Sequence, residues 1–342
     1  MERWARELEV LLPALRPERY TVIRPPAALA HRAGHIWEQL VLPLRARRAR
    51  LLMSPANLAP LAHPGNVVVI HDAAPFREPR WYGRAYGAWH RALIPRLARR
   101  ARLVIVPSEF VRSELIELFG IPADRVRAIP PGVDSRFAAP GDPAPVLSRL
   151  DLDGRPYVLA LGTEGERKNL RLLDAIAPRL AASGLDVAVA GSKRPYIATS
   201  GTGIARRIGY VDDADLPALY AGAAAFAMPS LYEGFGLPCI EAMAAGTPVV
   251  AADRGALPEA CGGAALLADP EDEEAFVDAL LEAAGTERHR LIDAGHARAA
   301  ELSWSRTAEA IDAALDPLLD QAAVSEVAGE PATEDRPTGR RR

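Results

Sequence analysis

Short apolar runs alternate with longer stretches of helical periodicity along this chain. Trp4, Leu8 and Leu12 recur at the spacing of one helix face, so an amphipathic helix is predicted at the start. The strands predicted in the first half are YTVIR (20–24), RLLM (50–53), NVVVI (66–70), RLVIV (102–106) and VRAIP (126–130). The helices predicted between them span about 36–47, 81–99 and 108–119. This βαβ rhythm, with strands rich in Val and Ile, predicts a parallel sheet covered on both faces.

The same rhythm restarts after segment 138–156, which is rich in Pro, Gly and Asp and which we interpret as the linker region. The strands predicted in the second half are 156–162, 185–191, 206–211, 224–230, 247–253 and 264–269. The helices predicted there span about 169–182, 213–222, 238–245, 271–285, 286–302 and 304–320. Two doubly wound α/β domains that face each other across a cleft are therefore predicted, with ligands at the carboxyl ends of the strands.

Composition agrees with a globular protein of two domains. The chain has 342 residues, of which 49% are hydrophobic and 25% are charged. It contains no run of about 18 apolar residues, and MERWARELEV lacks the pattern of a signal peptide, so we expect a cytoplasmic location. Cys239 and Cys261 belong to no CxxC motif or Cys/His cluster, which argues against a disulfide framework or a zinc site.

The charge is distributed unevenly between the two halves. Residues 1–150 contain 23 Arg against 13 Asp and Glu, whereas residues 151–342 contain 18 basic against 31 acidic residues. Arginine concentrates in RARRAR (45–50) and RLARRAR (96–102). These segments either form solvated helix faces or meet an anionic acceptor or the anionic inner face of the plasma membrane, and both interpretations remain open. No nucleic-acid partner is expected.

Lysine is rare in this chain, because 39 of its 41 basic residues are Arg. Lys168 and Lys193 each follow a predicted strand, which hints at sites that need a compact ammonium group. In LALGTEGERKNL (159–170), Asn169 is a candidate helix cap, and Arg167 stands with Lys168 at the carboxyl end of the strand. Such a pair suits phosphate oxygens, and the alternative is a solvated pair.

The stretch YEGFGLPCIEAM (232–243) predicts a second anion site. A buried strand precedes it, Pro238 suits the first position of a helix, and Gly246 suits a left-handed stop. The two glycines let the backbone approach a ligand closely, and the amides of Gly236 and Leu237 are then unpaired donors at a helix start. Donors of this kind suit a diphosphate.

Two acids bracket that site. One alternative for Glu241 is a purely structural role, as a first-turn acid that interacts favourably with the helix dipole. This alternative is weaker for Glu233, which lies in a loop with no helix to cap. A carboxylate can hold a vicinal diol, so the pair would suit a sugar and a ribose. In the first half, His71 and Asp72 end the strand NVVVI, where the His either contacts a sugar hydroxyl or caps a turn with Asp72 as its partner.

These pieces together resemble a known family. Residues 209–272, with Glu233 and Glu241 around FGLP, closely resemble the signature region of retaining glycosyltransferases of family 4, which have the GT-B fold. The further matches are LGTEGERKNL, VVVIHD, VIVPSEFVRSEL (104–115), AIPPGVD (128–134) and LSWSRTA (302–308). The resemblance covers about residues 1–320.

The resemblance implies a domain organisation. It implies an acceptor-binding Rossmann-like domain over 1–140, a linker over 141–156 and a nucleotide-sugar-binding domain over 157–303. A helix over 304–322 would cross back to the first domain, and 323–342, which lacks periodicity, would be a disordered tail.

The resemblance also implies roles for the candidate residues. The residues implied in catalysis are His71, Glu233 and Lys168. The residues implied in substrate binding are Asp72, Arg167, Gly234, Phe235, Gly236, Leu237 and Glu241. Arg167 and Lys168 resemble the diphosphate-binding pair, and Glu241 resembles the ribose ligand. Many members have a further Arg where this chain has Thr163.

The implied reaction is transfer of a hexosyl group from a GDP- or UDP-sugar with retention of configuration. The sugar would be mannosyl- or rhamnosyl-like, and the acceptor a glycan or lipid-linked intermediate of cell-surface polysaccharide. The departing phosphate would help to deprotonate the acceptor, with fixed donors rather than a metal or cofactor stabilising it. A nucleotide-sugar epimerase on the same fold is a further alternative, and a phosphorylase is disfavoured by length.

Two features depart from the family pattern. Pro131 stands where relatives commonly have Asn. The family opens with a strand and a Gly-rich loop ahead of a helix like ERWAREL, and the printed chain starts inside that helix. We expect a start codon assigned too late; the alternative is a truncated, catalytically inactive sugar-nucleotide-binding or scaffold subunit.

Overall fold

The computed structural model describes residues 2–26, 34–191 and 205–327, and it contains two parallel sheets. The elements of the first half are α1 (Glu2–Leu15), α2 (Gly34–Leu40), α3 (Leu42–Arg45), β1 (Leu52–Ser54), β2 (Asn66–Val69), α4 (Ala74–Arg77), α5 (Arg84–Arg100), β3 (Leu103–Val106), α6 (Glu109–Phe119), β4 (Val126–Ala128) and α7 (Ala144–Arg149). The four strands pair in the order β1-β2-β3-β4, all parallel.

The second half forms a larger sheet. Its elements are β5 (Tyr157–Leu161), α8 (Leu170–Ala182), β6 (Asp186–Ala190), β7 (Arg206–Gly209), α9 (Leu216–Ala221), β8 (Ala225–Met228), α10 (Leu237–Ala244), β9 (Val249–Ala252), α11 (Leu257–Cys261), β10 (Leu266–Ala268), α12 (Glu273–Ala284), α13 (Arg288–Glu301) and α14 (Trp304–Val327). The order is β10-β9-β8-β5-β6-β7, so the chain starts in the middle and winds outwards in both directions. The predicted α/β class with two parallel sheets is confirmed.

Both faces of the first sheet are buried by helices, as Val- and Ile-rich parallel strands require. On one face, α1 packs against α14, and the rings of Trp4 and Trp304 meet edge to face at 5.7 Å. On the other face, α5 and α6 cover Val68 and Val104. Because α14 follows the second sheet in sequence, its packing on the first sheet ties the two halves together.

The predicted strand YTVIR is wrong. Residues 20–24 have no regular structure, because side chains rather than strand pairing hold this segment in place. The hydroxyl of Tyr20 donates to Asp312 on α14, and Arg19 forms ion pairs with Asp312 at 3.1 Å and with Asp316. The segment lines a cavity of about 660 Å³, whose other walls include α1, β1 and α14.

Two other boundaries differ from the sequence prediction. The segment interpreted as the linker contains the short helix α7, and α14 continues to Val327, beyond the ends predicted at 320 from periodicity and at 322 from the resemblance. Residues 328–342, and Lys193, lie outside the described residues. Within the part of the chain that is described, no helix is long and apolar enough to cross a membrane.

Candidate active site

Three loops that follow strands meet between the sheets. The loops after β5 and β8 carry Lys168 and Glu233, and these two strands are neighbours in the second sheet. The loop after β2 carries His71 in the first sheet. The halves touch directly there: a Cβ atom at Gly234 would lie 2.0 Å from the carbonyl oxygen of His71. Glycine is therefore required at this position for the two loops to approach so closely.

The carboxylate of Glu233 is held by two cations. Lys168 Nζ lies 2.6 Å from Oε1, and Arg167 lies 3.0 Å from Oε2. Burial alone would raise the pKa of Glu233, but the charges of Arg167 and Lys168 outweigh it and lower the pKa to about 2. Glu233 is therefore ionised at neutral pH and neutralises part of a positive cluster at the ends of the central strands.

Backbone contacts fix the position of Arg167. Its guanidinium donates to the carbonyl of Tyr232 at 2.9 Å, and its own carbonyl accepts from the amide of Leu231 at 2.9 Å. The loops after β5 and β8 are thus tied together. The carboxylates of Glu233 and Asp72 raise the pKa of Arg167 against the opposing effect of burial.

Asn169 does not cap α8 as the sequence suggested. It precedes the helix in the left-handed conformation, with φ of +49°, and its side chain donates to the carbonyl of Pro270 at 3.0 Å. The amide side chain therefore braces the loop against the segment that follows β10. The preceding one-turn 3₁₀ helix, Glu166–Lys168, presents Arg167 and Lys168 towards Glu233.

The loop before α10 offers unused hydrogen-bond donors. Gly236 has φ of +104°, and α10 begins at Leu237, so Pro238 is the second helical residue rather than the first. Among the described residues, the backbone amides of Gly234, Phe235, Gly236 and Leu237 donate to no protein acceptor. These amides lie at the start of a helix, beside the two cations that contact Glu233, and this arrangement suits a phosphate. The helix ends as predicted, with Gly246 at φ of +76°.

Glu241 is buried on α10 and already has two partners. The hydroxyl of Tyr220 donates to Oε2 at 3.1 Å, and Arg3 of α1 forms an ion pair with Oε1. Arg3 also lies over the ring of Phe137, at 5.6 Å. Neither partner was predicted from the sequence. Neither belongs to a recognisable motif, and only the packing of α1 across the cleft brings Arg3 to this site.

His71 and Asp72 are not partners. Nε2 of His71 lies 2.8 Å from the carbonyl oxygen of Pro55 and donates to it, which leaves Nδ1 unprotonated. Asp72 instead accepts from the amide of Ala74 at 3.1 Å, at the start of α4. Burial lowers the pKa of His71 to about 4. Burial also raises the pKa of Asp72, although the positive charge of Arg167 acts to lower it. His71 is therefore neutral at neutral pH.

Polar contacts connect the halves around the start of α6. Ser108 caps α6 by accepting from Val111 and also donates to the carbonyl of Gly234 at 2.7 Å. The carboxylate of Glu259 accepts from the amides of Glu109 at 2.8 Å and Phe110 at 3.0 Å. The loop that carries Glu233 is therefore held by Ser108 of the first half as well as by Arg167 of its own half.

Comparison with known proteins identifies the family. Residues 12–137 match the family described as Glycosyltransferase Family 4, and residues 155–285 match the one described as Glycosyl transferases group 1. The chain is 35% identical over 263 residues to the O-antigen chain mannosyltransferase B of Escherichia coli, covering 72% of this chain and 69% of that protein. The chain belongs to glycosyltransferase family 4.

Solved structures share the fold. The complex of Anabaena Alr3699/HepE with UDP-glucose has a TM-score of 0.66 at 20% identity, over 81% of each chain. WaaG, a glycosyltransferase involved in lipopolysaccharide biosynthesis, has a TM-score of 0.68 at 13% identity, over 92% of this chain and 95% of that one. The GT-B fold predicted from the resemblance is confirmed. The chain spans only 50% to 58% of the length of seven other curated relatives.

Proposed function

We propose that this protein is a retaining hexosyltransferase. It transfers a mannosyl- or rhamnosyl-like group from a GDP- or UDP-sugar to a glycan or lipid-linked acceptor in cell-surface polysaccharide synthesis. The observation that carries the proposal is the convergence of Arg167, Lys168 and four unpaired amides beside Glu233. The proposal is further supported by two similar proteins, one named as an O-antigen mannosyltransferase and one solved with UDP-glucose.

The proposed chemistry relies on fixed positive groups at the leaving phosphate. Arg167 and Lys168 would bind the diphosphate together with the amides of Gly236 and Leu237, and their positions are set before substrate arrives. Fixed donors stabilise developing charge without reorganisation during the reaction. In this proposal the β-phosphate accepts the proton of the acceptor hydroxyl, and His71 and Glu233 contact the transferred sugar.

A screen of sugar donors in the absence of free metal ions tests the proposal. Purified protein is incubated with GDP-mannose, other GDP- and UDP-hexoses and dTDP-rhamnose in the presence of EDTA, and nucleotide release and sugar transfer are measured. Lys168→Ala should abolish turnover, whereas Arg171→Ala, an exposed cation of α8, should leave it unchanged. Turnover that survives Lys168→Ala would contradict the proposed site. Nucleotide binding without any turnover would favour the inactive scaffold alternative.

The proposed acceptor location includes the surface of an anionic membrane. Ile36, Leu40 and Leu44 follow one another at intervals of four residues and are each more than 60% exposed, and Trp89 of α5 is also exposed. The surrounding segment, residues 34–107, holds 12 Arg against 3 acidic residues. Exposed apolar side chains with a basic surround favour an interface with anionic lipid headgroups.

Vesicle binding tests this location. The protein should co-float with vesicles that contain anionic lipid, and the bound fraction should fall steeply with added salt. Leu44→Glu should weaken binding, whereas Val10→Glu, at an exposed apolar position of α1, should not. Binding that is equal for neutral and anionic vesicles, or is unaffected by Leu44→Glu, would contradict the proposed surface.

A further inference from the structure

The hydroxyl of Tyr232 joins the two halves of the molecule. It donates to the carboxylate of Glu114 on α6, and it accepts from the backbone amide of Ala73 at 3.0 Å. Glu114 and Ala73 belong to the first half, whereas Tyr232 lies in the loop between β8 and α10 of the second. One phenol oxygen therefore links three segments that are distant in sequence.

The contact is buried and geometrically constrained. Tyr232 and Glu114 are 6% and 7% exposed. One oxygen of Glu114 accepts from Arg77 at 2.7 Å, and the other accepts from the phenol. The ring of Tyr232 also meets Phe110 edge to face, with 5.6 Å between the centroids. Removing the hydroxyl would leave a buried carboxylate oxygen and a buried amide without this partner, which is costly.

The sequence neighbours of these groups are the candidate reactive residues. Tyr232 directly precedes Glu233, and Ala73 directly follows His71 and Asp72. The carbonyl of Tyr232 also accepts from Arg167 at 2.9 Å. A displacement of the phenol would therefore move the loop of Glu233 relative to the loop of His71.

We propose that Tyr232 and Glu114 are positioning residues, whose hydrogen bond keeps the loop of Glu233 in register with His71 and Asp72. The inference rests on the proposed hexosyl transfer. The diphosphate-binding groups proposed above lie on the second half and do not use the phenol hydroxyl. Loss of the hydroxyl should therefore slow transfer without weakening nucleotide binding. Misplacement of reacting groups by about 1 Å costs up to about 100-fold in rate.

The experiment compares Tyr232→Phe, Glu114→Ala, their double variant and Glu114→Gln. Tyr157→Phe is the matched control, because its buried phenol donates to the carbonyl of Leu219 at 2.6 Å within the second half. The kcat of hexose transfer and the Kd of UDP and GDP are measured. Tyr232→Phe and Glu114→Ala should each lower kcat by about 10- to 100-fold and leave Kd within about twofold.

The remaining variants separate positioning from stability. The double variant should lose less kcat than the product of the two single losses, because both single variants remove the same hydrogen bond between Tyr232 and Glu114. Glu114→Gln keeps an oxygen that accepts from the phenol and should recover most of the kcat lost in Glu114→Ala. Tyr157→Phe should lower the melting temperature at an unchanged kcat. Multiplicative losses in the double variant, an unchanged kcat in Tyr232→Phe, or a Kd that rises in parallel would each overturn the inference.

Amide hydrogen exchange gives a readout that needs no turnover. Exchange of the hydrogen-bonded amides of Leu231, His71, Ala73 and Ala74 should accelerate together in Tyr232→Phe and stay unchanged in Tyr157→Phe. Absence of hexose transfer by the unmodified protein would contradict the proposed function. Unchanged exchange in Tyr232→Phe would overturn the positioning contact itself, so the two failures are distinguishable.

Discussion

The ammonium group of Lys168 lies 2.6 Å from the carboxylate of Glu233, at the ends of neighbouring strands of the second sheet. The side chains are only 13% and 11% exposed. Arg167 contacts the second carboxylate oxygen, so Glu233 compensates the charge of two cations. A diphosphate bound there would take over part of that compensation, so we expect Glu233 to compete with phosphate in addition to its proposed contact with the sugar.

Glu233→Gln should lower stability and strengthen binding of the free nucleotide. Removing the charge leaves two cations uncompensated in a buried site, and breaking a buried pair costs about 3–5 kcal/mol. UDP or GDP would then restore compensation, so the rise in melting temperature on nucleotide addition should exceed that of the unmodified protein. Transfer itself should fall at least about 100-fold if the carboxylate contacts the transferred sugar.

The matched control for this variant is Glu273→Gln, because Glu273 is an exposed acid of α12. It should leave both the melting temperature and the nucleotide shift unchanged. A smaller nucleotide shift in Glu233→Gln than in the unmodified protein would show that the carboxylate does not compete with phosphate.

The contribution of His71 to stability should fall with acidification below about pH 6.5. The pKa of His71 is lowered from 6.5 to about 4, so between these values the unfolded chain binds more protons than the folded protein. The contribution of His71 is therefore lost as pH falls through this window, whereas Glu38, whose pKa burial raises to about 7, contributes in the opposite direction. Below about pH 4.5 the contribution of Glu233 is also lost, because its pKa is lowered from 4.5 to about 2. Urea unfolding at a series of pH values measures both.

The variant His71→Gln tests whether His71 causes the pH dependence between about pH 6.5 and pH 4. The variant lacks the titrating ring, so the slope of its unfolding free energy against pH between pH 5 and pH 7 should be less positive than that of the unmodified protein. His289→Gln, at an exposed position of α13, serves as the control and should keep the original slope. Equal slopes in all three proteins would mean that His71 is protonated equally in the folded and unfolded states.

Gly234→Ala should separate the halves of the site. Its Cβ atom would lie 2.0 Å from the carbonyl oxygen of His71 and 3.1 Å from Cβ of Asp72, so one loop must move. We expect transfer to fall by about 100-fold, since displacements near 1 Å have effects of that size. Gly154→Ala is the control, because a Cβ atom there meets nothing within 4 Å. Similar transfer rates for both variants would contradict a close approach of the two loops.

The sequence predicted the strands that have partners on both sides more reliably than the segments at the periphery. NVVVI and RLVIV are continuous apolar runs because helices cover both faces of β2 and β3. YTVIR has a similar composition, yet it is irregular, because its contacts with α14 depend on tertiary packing rather than on local pattern. Periodicity contains no information about such contacts.

The same distinction applies to the candidate site. Lys168 and Glu233 were predictable because each follows a buried strand, and parallel strands align their carboxyl ends. Tyr232 with Glu114, and Arg3 with Glu241, pair across the two halves, and neither pair has a local signature. Only the relative placement of the two sheets determines them.

Arg3→Ala should strengthen nucleotide binding. Arg3 forms an ion pair with Glu241, the candidate ribose ligand, and the side chain of Arg3 is 20% exposed. A ribose would have to share or displace this cation, so its removal should lower the Kd of UDP or GDP by about 3- to 10-fold, the equivalent of one charged hydrogen bond or less. Titration calorimetry measures the change.

Arg6→Ala is the control for Arg3→Ala. Both arginines lie on α1 and contact the carboxylate of Asp213, Arg6 at 3.7 Å and Arg3 at 3.9 Å. In the described part of the chain, however, Arg6 makes no ion pair with Glu241. Nucleotide affinity should therefore be unchanged in Arg6→Ala. A Kd that rises in Arg3→Ala would instead mean that the guanidinium contributes to the nucleotide site, with Glu241 holding Arg3 rather than the ribose.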